Sequence, residues 1–211
     1  MGRNPMDAVT FARSALGNFR QTASVVPSSR RLAKAMVDPI ACLRPKVVLE
    51  FGPGTGAMTR ELLRRLPSDT RLLAFEINPS FVAHLRESIP DRRVRFVPAG
   101  AETAGRELDR RGISRVDAVV SSLSLGMMAV ELADSVFQGI APYLEAQSRV
   151  TQYQYVHRTR VDGGKFSRFD ARTMLRRHFS SVRSTTVWLN IPPAVVSTCA
   201  GVRETGRPTL G

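Results

Sequence analysis

A doubly wound α/β sheet of seven strands is the fold this sequence predicts, on three observations. Short apolar runs alternate with helix-capable segments along most of the chain, and the first of those runs leads straight into a glycine-rich turn. The length of 211 residues with 43% hydrophobic content suits one globular core and leaves little room for a second. The expected strands are 46–51, 71–76, 93–97, 116–121 and 149–155, whose alternation with helices argues for parallel pairing, followed by 182–189 and 194–202. Asn190, Ile191, Pro192 and Pro193 read as the turn joining the last two, because paired prolines cannot continue a central strand. A helix is expected from Asp170 to His178, and Arg158 to Phe166, with Asp162, Gly163 and Gly164, reads as a flexible loop.

Composition narrows the function classes. No apolar run approaches the roughly 18 residues of a membrane span, and the start lacks the basic, apolar and small-residue succession of a signal peptide, so a cytoplasmic protein is expected. Cys42 and Cys199 have no metal-ligand spacing and read as buried free thiols; no metal site is expected. Lys and Arg total 31 against 18 Asp and Glu, a net charge of +13, with arginine far outnumbering lysine. That excess points to a large anionic partner, nucleic acid or an anionic membrane leaflet.

The first strand ends in Glu50, Phe51, Gly52, Pro53, Gly54, Thr55, Gly56. This is neither the phosphate loop G-x-x-x-x-G-K-[ST], whose lysine it lacks, nor the spaced G-x-G-x-x-G of dinucleotide folds. An acid at Glu50 repels a pyrophosphate and suits a cationic or amino-bearing ligand. The second strand ends in Glu76, about twenty residues on, the offset at which an acid meets a ribose diol. A nucleoside without phosphates satisfies both acids.

The run EFGPGTG resembles motif I of class I S-adenosylmethionine-dependent methyltransferases, a Rossmann-like fold, and Glu76 resembles that family's ribose-binding acid. The resemblance implies S-adenosylmethionine as cofactor. Gly52, Gly54 and Gly56 then let the backbone approach it, Thr55 and Ile77 border it, and Glu50 faces its methionine end. Pro98 to Glu102 occupies the place where many relatives carry Gly-Asp-Ala; Gly100 stands at the aspartate's position. Ala101, through its backbone amide, is the implied adenine contact, and Glu102 either substitutes for the aspartate or favours a helix N-terminus.

Over most of its length the chain resembles the bacterial phospholipid N-methyltransferases, which methylate phosphatidylethanolamine toward phosphatidylcholine. Four segments carry the resemblance: Val26 to Ala33 with its Pro-Ser-Ser, LEFGPGTGAMT, Val116 to Leu123, and Trp188 to Ala194. Departures are Ser124 in place of a common proline, and Gln154-Tyr155 in place of Thr-Tyr. Methylating an amine asks mainly for positioning. Tyr155 first and Tyr153 second are the expected amine-orienting residues; spaced by two on a strand they share a face, and the alternative is aromatic packing at a strand end. Ser121 and Ser122 follow the fourth strand, where an open sheet places its ligands; Ser121 is assigned to the cofactor and Ser122 to the amine site. Of the three histidines, only His157, near Tyr155, is a candidate proton acceptor.

The rival reading is a ribosomal RNA adenine dimethyltransferase, which places Asn-Leu-Pro-Tyr after the fourth strand so that the aromatic stacks on the target base. Here the residues are Ser121, Ser122, Leu123 and Ser124, without an aromatic, which argues against nucleic acid. A cofactor-binding membrane protein without catalysis is a third class. The chain is divided into an N-terminal helical arm, 1–45, that associates with membrane and covers the active site, and a methyltransferase domain, 46–211. Within the arm, residues 6–26 form an amphipathic helix: Val9, Phe11, Leu16 and Phe19 gather on one side, with Arg13 and Arg20 at a border. That face meets either anionic lipid, making the protein peripheral on the inner face of the cell membrane, or the protein's own sheet.

Overall fold

In the computed structural model the structure describes residues 30–156, 159–162, 165–168 and 170–203. Helix α1 (Arg30–Ala41) precedes strand β1 (Val47–Phe51). There follow α2 (Ala57–Arg65), β2 (Arg71–Phe75), α3 (Pro79–Ser88), β3 (Val94–Val97), α4 (Ala104–Arg110), β4 (Val116–Ser121), α5 (Val130–Ile140) and β5 (Leu144–Tyr155). The chain continues through β6 (Thr159–Asp162), β7 (Lys165–Arg168), α6 (Ala171–His178), β8 (Phe179–Val187) and β9 (Ala194–Val202). The main sheet has seven strands in the order β3-β2-β1-β4-β5-β9-β8. Its first five strands pair in parallel, and β9 and β8 close it antiparallel.

Alternation along each strand makes the sheet doubly wound. In β1, Leu49 and Phe51 face a cluster with Ala104 and Leu108 of α4, Val136 and Phe137 of α5 and Leu175 of α6. Val48 faces the other way, into a cluster with Met36 and Ile40 of α1 and Met58 and Leu62 of α2. Two apolar layers on a period of two are what a strand buried on both faces requires. Helix α1 presents Leu32, Ala33, Met36, Val37 and Ile40 on one buried stripe, so this part of the N-terminal region lies in the domain core. The expected amphipathic helix 6–26, the Pro-Ser-Ser segment and His157 lie outside the described residues.

Three expectations are corrected. The expected loop 158–166 overlaps a two-stranded ribbon of β6 and β7, in which Thr159 pairs with Arg168 and Asp162 with Lys165; a two-residue Gly-Gly connection between strand-capable runs is a hairpin signal. Cys42 is exposed just after α1, whereas Cys199 is buried in β9 and burial pushes its thiol up to about 12. Strand β5 begins at Leu144, earlier than expected, because a register shift between Val116 and Ala118 lets it pair with Val116. The Ser148 hydroxyl, donating to the Val116 carbonyl at 2.7 Å, stitches that irregular stretch together.

The turn after β1 depends on backbone only glycine adopts cheaply: Gly52, Gly54 and Gly56 have φ of 72°, 55° and 83°. A Cβ at Gly56 would also lie 2.7 Å from side-chain carbons of Leu85 and Ile89. Gly56→Ala is therefore expected to cost about 2 kcal/mol or more, left-handed strain adding to overpacking. The measurement is the urea midpoint, which should fall without a change in slope.

Candidate active site

The carboxyl ends of β1, β2, β4 and β5 converge on one edge of the sheet. At the end of β1, Glu50 points to the same face as Val48, beneath α2, and is fully buried. The Thr59 hydroxyl of α2 reaches both its oxygens, at 3.0 and 2.8 Å. Among the described residues Glu50 has no cationic partner. Burial pushes its carboxyl up to about 8, the charge of nearby Glu76 pushes the same way, and the Thr59 hydrogen bond pulls against them.

Glu76 follows β2 and is also buried. Its Oε2 accepts from the Gly54 N–H at 3.1 Å and its Oε1 from the Asn78 N–H at 2.9 Å. These bonds use two of about four lone-pair positions on a carboxylate, so acceptor capacity for a diol remains. The glycine turn is tied to both neighbouring strands: Gly52 N–H donates to the Phe75 carbonyl at 3.0 Å and Ser122 N–H to the Phe51 carbonyl at 2.8 Å. A Cβ built on Gly54 meets nothing within 4 Å, which leaves open space over the turn. A buried acid close enough to Glu76 to feel its charge, Glu76 itself with spare acceptors, and a bare glycine backbone together fit an amino-bearing nucleoside.

The second half of the site is a cleft lined by Ser122 to Gly126 after β4, by Tyr153, Gln154 and Tyr155 of β5, and by Ala171. Tyr153 and Tyr155 stand on one face with ring centroids 5.4 Å apart, edge to face, both packed against the cluster around α1. Ser122 joins the two halves, because a Cβ on Gly52 would lie 3.9 Å from the Cβ of Ser122.

The structure thus brings Glu50, Gly52, Gly54, Glu76, Ser122, Tyr153 and Tyr155 along one edge. Thr55 lies in the same turn, where its carbonyl accepts from Arg60 at 2.8 Å. Ile77, next to Glu76, is exposed, and Ala101 is buried in a 3-10 turn after β3. Ser121 lies under the cleft, fully buried, its hydroxyl accepting from the Leu123 N–H at 3.4 Å. A Cβ built on Gly100 would overlap the Glu102 carboxylate, so that side chain folds back over the place where a residue at 100 would extend.

Sequence reasoning missed two supporting residues. Thr59 was recognisable as the only polar member of α2's buried trio, with Met58 and Leu62. Gln152, buried in β5, donates to the Leu123 carbonyl at 2.9 Å and so fixes the cleft wall; nothing local in the sequence marks it.

Comparison with known proteins identifies relatives of this arrangement. The family described as "Methyltransferase domain" matches residues 48–147. An ornithine lipid N-methyltransferase of Singulisphaera acidiphila is 30% identical over 186 residues, covering 86% of this chain and 90% of that protein. The ribosomal RNA small subunit methyltransferase H of Bordetella pertussis is 39% identical over only 83 residues, 22% of its length. Among solved structures, the 1,6-didemethyltoxoflavin-N1-methyltransferase of Burkholderia thailandensis superposes with a TM-score of 0.68 at 22% identity, covering 96% of this chain and 92% of that one. With an alignment of that extent to the Singulisphaera enzyme and the matched domain running from β1 to the start of β5, the chain belongs to the class I S-adenosylmethionine-dependent methyltransferases.

Proposed function

We propose that this protein methylates the amine head group of a membrane lipid, phosphatidylethanolamine toward phosphatidylcholine, working peripherally on the inner face of the membrane. The observation that carries the reading is the position of Ser122, which lies against Gly52 of the glycine turn and also lines the cleft that Tyr153 and Tyr155 wall. Support also comes from the alignment along 90% of an enzyme named for ornithine lipid, itself an amine-bearing lipid. The match to the ribosomal enzyme is confined to a fraction of its chain, and no aromatic follows β4 to stack on a base.

S-adenosylmethionine, when bound, supplies an electrophilic methyl group on a sulfonium. Glu50 and Glu76 would hold its amino-acid and ribose ends, the turn of Gly52 to Gly56 would admit its backbone-side atoms, and Ala101 and Ile77 would flank the base. Glu102, folded over Gly100, would take the place of the aspartate common in relatives. The remaining task of the chain is to hold an amine, free of its proton, in line with the methyl group. The Tyr155 hydroxyl orients that amine, with Tyr153 bracing its ring and Ser122 at the shared wall. Residues 6–26 and the basic surface would bring the enzyme to anionic lipid.

Glu50 makes stability depend on pH in a stated direction. The folded protein holds this proton up to about 8, against an ordinary value of 4.5, so its contribution is complete below 4.5 and is lost as pH rises through about 8. The stability of wild type relative to Glu50→Gln, followed by thermal melting without cofactor, should therefore decline across that window and level off above it. Glu76→Ala should weaken S-adenosylmethionine binding by about 1 to 3 kcal/mol in calorimetry, the cost of losing a charged acceptor. For the reaction itself, labelled cofactor is incubated with vesicles of phosphatidylethanolamine, ornithine lipid and phosphatidylglycerol, and the labelled lipid is identified. Label in phosphatidylethanolamine is expected, and its absence from every amine lipid would refute the reading. Tyr155→Phe should lower this turnover by about 10²-fold, as for lost positioning, while leaving cofactor affinity intact; wild-type turnover would return Tyr155 to a packing role.

A further inference from the structure

The turn between β8 and β9 has its polarity reversed. Its polar side chain, Asn190, is 3% exposed and donates to the Pro192 carbonyl at 2.6 Å, while Trp188, Leu189 and Ile191 stand 71%, 67% and 80% exposed. A turn made for water hides its apolar residues and shows its amide. The turn is also held in place: Asn190 N–H donates to the Val187 carbonyl at 3.4 Å, and Val156 N–H to the Pro193 carbonyl at 3.0 Å. Because Ala194 pairs with Tyr155, this apolar tip stands just past the tyrosines, at the end of β5 that also lines the cleft. Met127, 52% exposed at the end of the 3-10 turn after β4, adds apolar surface next to Gly126 of the cleft's lining.

We infer that the β8–β9 tip is a wedge that enters the hydrocarbon boundary of an anionic membrane leaflet and seats the cleft at head-group level. The inference rests on the lipid reading above and assigns the surface by which the site reaches its substrate. Charge and apolarity are divided in the way such a contact requires. The chain's net charge of +13 draws it to an anionic leaflet, yet no charged residue occurs between Arg183 and Arg203, so the tip carries no charge into hydrocarbon. An indole favours the interface, with its ring in the acyl boundary and its N–H toward water. Three side chains are too little for a stable protein interface, which needs about 800 Å² on each partner. They are enough for a shallow insertion that adds to electrostatic attraction.

Trp188 is the chain's single tryptophan, so its emission reports the tip in the unaltered full-length protein. The probe is a vesicle of phosphatidylglycerol and phosphatidylethanolamine containing phosphatidylcholine brominated on its acyl chains. On addition of vesicles the emission should shift to the blue, be quenched by the bromines and become shielded from iodide. Vesicles that carry the protein down on sedimentation but leave the emission unchanged would overturn the wedge, as would failure to bind at all. Emission already that of a buried indole without lipid would assign the tip to the chain's own residues, and a shift that follows protein concentration to a second copy; either overturns it. The double variant Trp188→Ser, Ile191→Ser should lose about tenfold or more in methylation of vesicle lipid, equivalent to roughly 1.4 kcal/mol of lost apolar contact. It should keep its melting temperature, its cofactor affinity and its rate on detergent-dispersed lipid. Parental rates on vesicles would count against the wedge. Wild-type protein that methylates amine lipid in neither form would instead sink the lipid reading, leaving the emission to judge the wedge separately.

Discussion

A carboxyl group at zero exposure inside a sheet must be protonated, paired or hydrogen-bonded, because its ionised form gives up hydration worth several kcal/mol. Glu50 meets that constraint through Thr59 and through a proton retained to about 8. The requirement fixes more than one side chain. Thr59 reaches both oxygens only because α2 starts where it does, and α2 starts there because Gly56, at φ 83°, reverses the chain within a few residues of β1. The same turn hands the Gly54 N–H to Glu76, so the acids at the ends of two adjacent strands are set by one piece of backbone. A neutral Glu50 is tolerable in that setting, and an ionised one would become favourable with a cation beside it. The group that is costly to bury is thereby the group with most to gain from an ammonium or sulfonium.

The parts of this architecture legible in the sequence are those where one local signal suffices. Strands buried on both faces read as apolar runs, the glycine turn reads from its composition, and Glu50 and Glu76 from their place at strand ends. What escaped notice depends on tertiary context. The start of β5 rests on a register shift against β4, and no pattern within 144–148, Leu-Glu-Ala-Gln-Ser, announces a strand. The β6–β7 ribbon reads as a loop because Asp162, Gly163 and Gly164 are a stronger turn signal than the short runs beside them are strand signals. Cys42 follows the last buried turn of α1, where one residue separates core from solvent. Gln152 supports the cleft through a carbonyl almost thirty residues away, a pairing that sequence spacing does not encode.

The departures from the lipid methyltransferase pattern have local accounts that leave the tyrosine wall untouched. Gln154, which stands where relatives carry threonine, points away from Tyr153 and Tyr155 by strand alternation, and its Oε1 accepts from the Ala171 N–H at 2.8 Å. Its longer side chain thereby ties the start of α6 to β5, both of which line the cleft. Ser124, in place of proline, lends its carbonyl to the Met127 N–H at 2.8 Å and begins the 3-10 turn that forms the cleft's outer wall. At Gly100, where no side chain extends, the carboxylate of Glu102 folds back over the backbone. Each substitution keeps a wall of the site and changes the residue that supplies it. The shape of the edge can be met by different side chains except where, as at the three positive-φ glycines, the backbone itself demands one residue type.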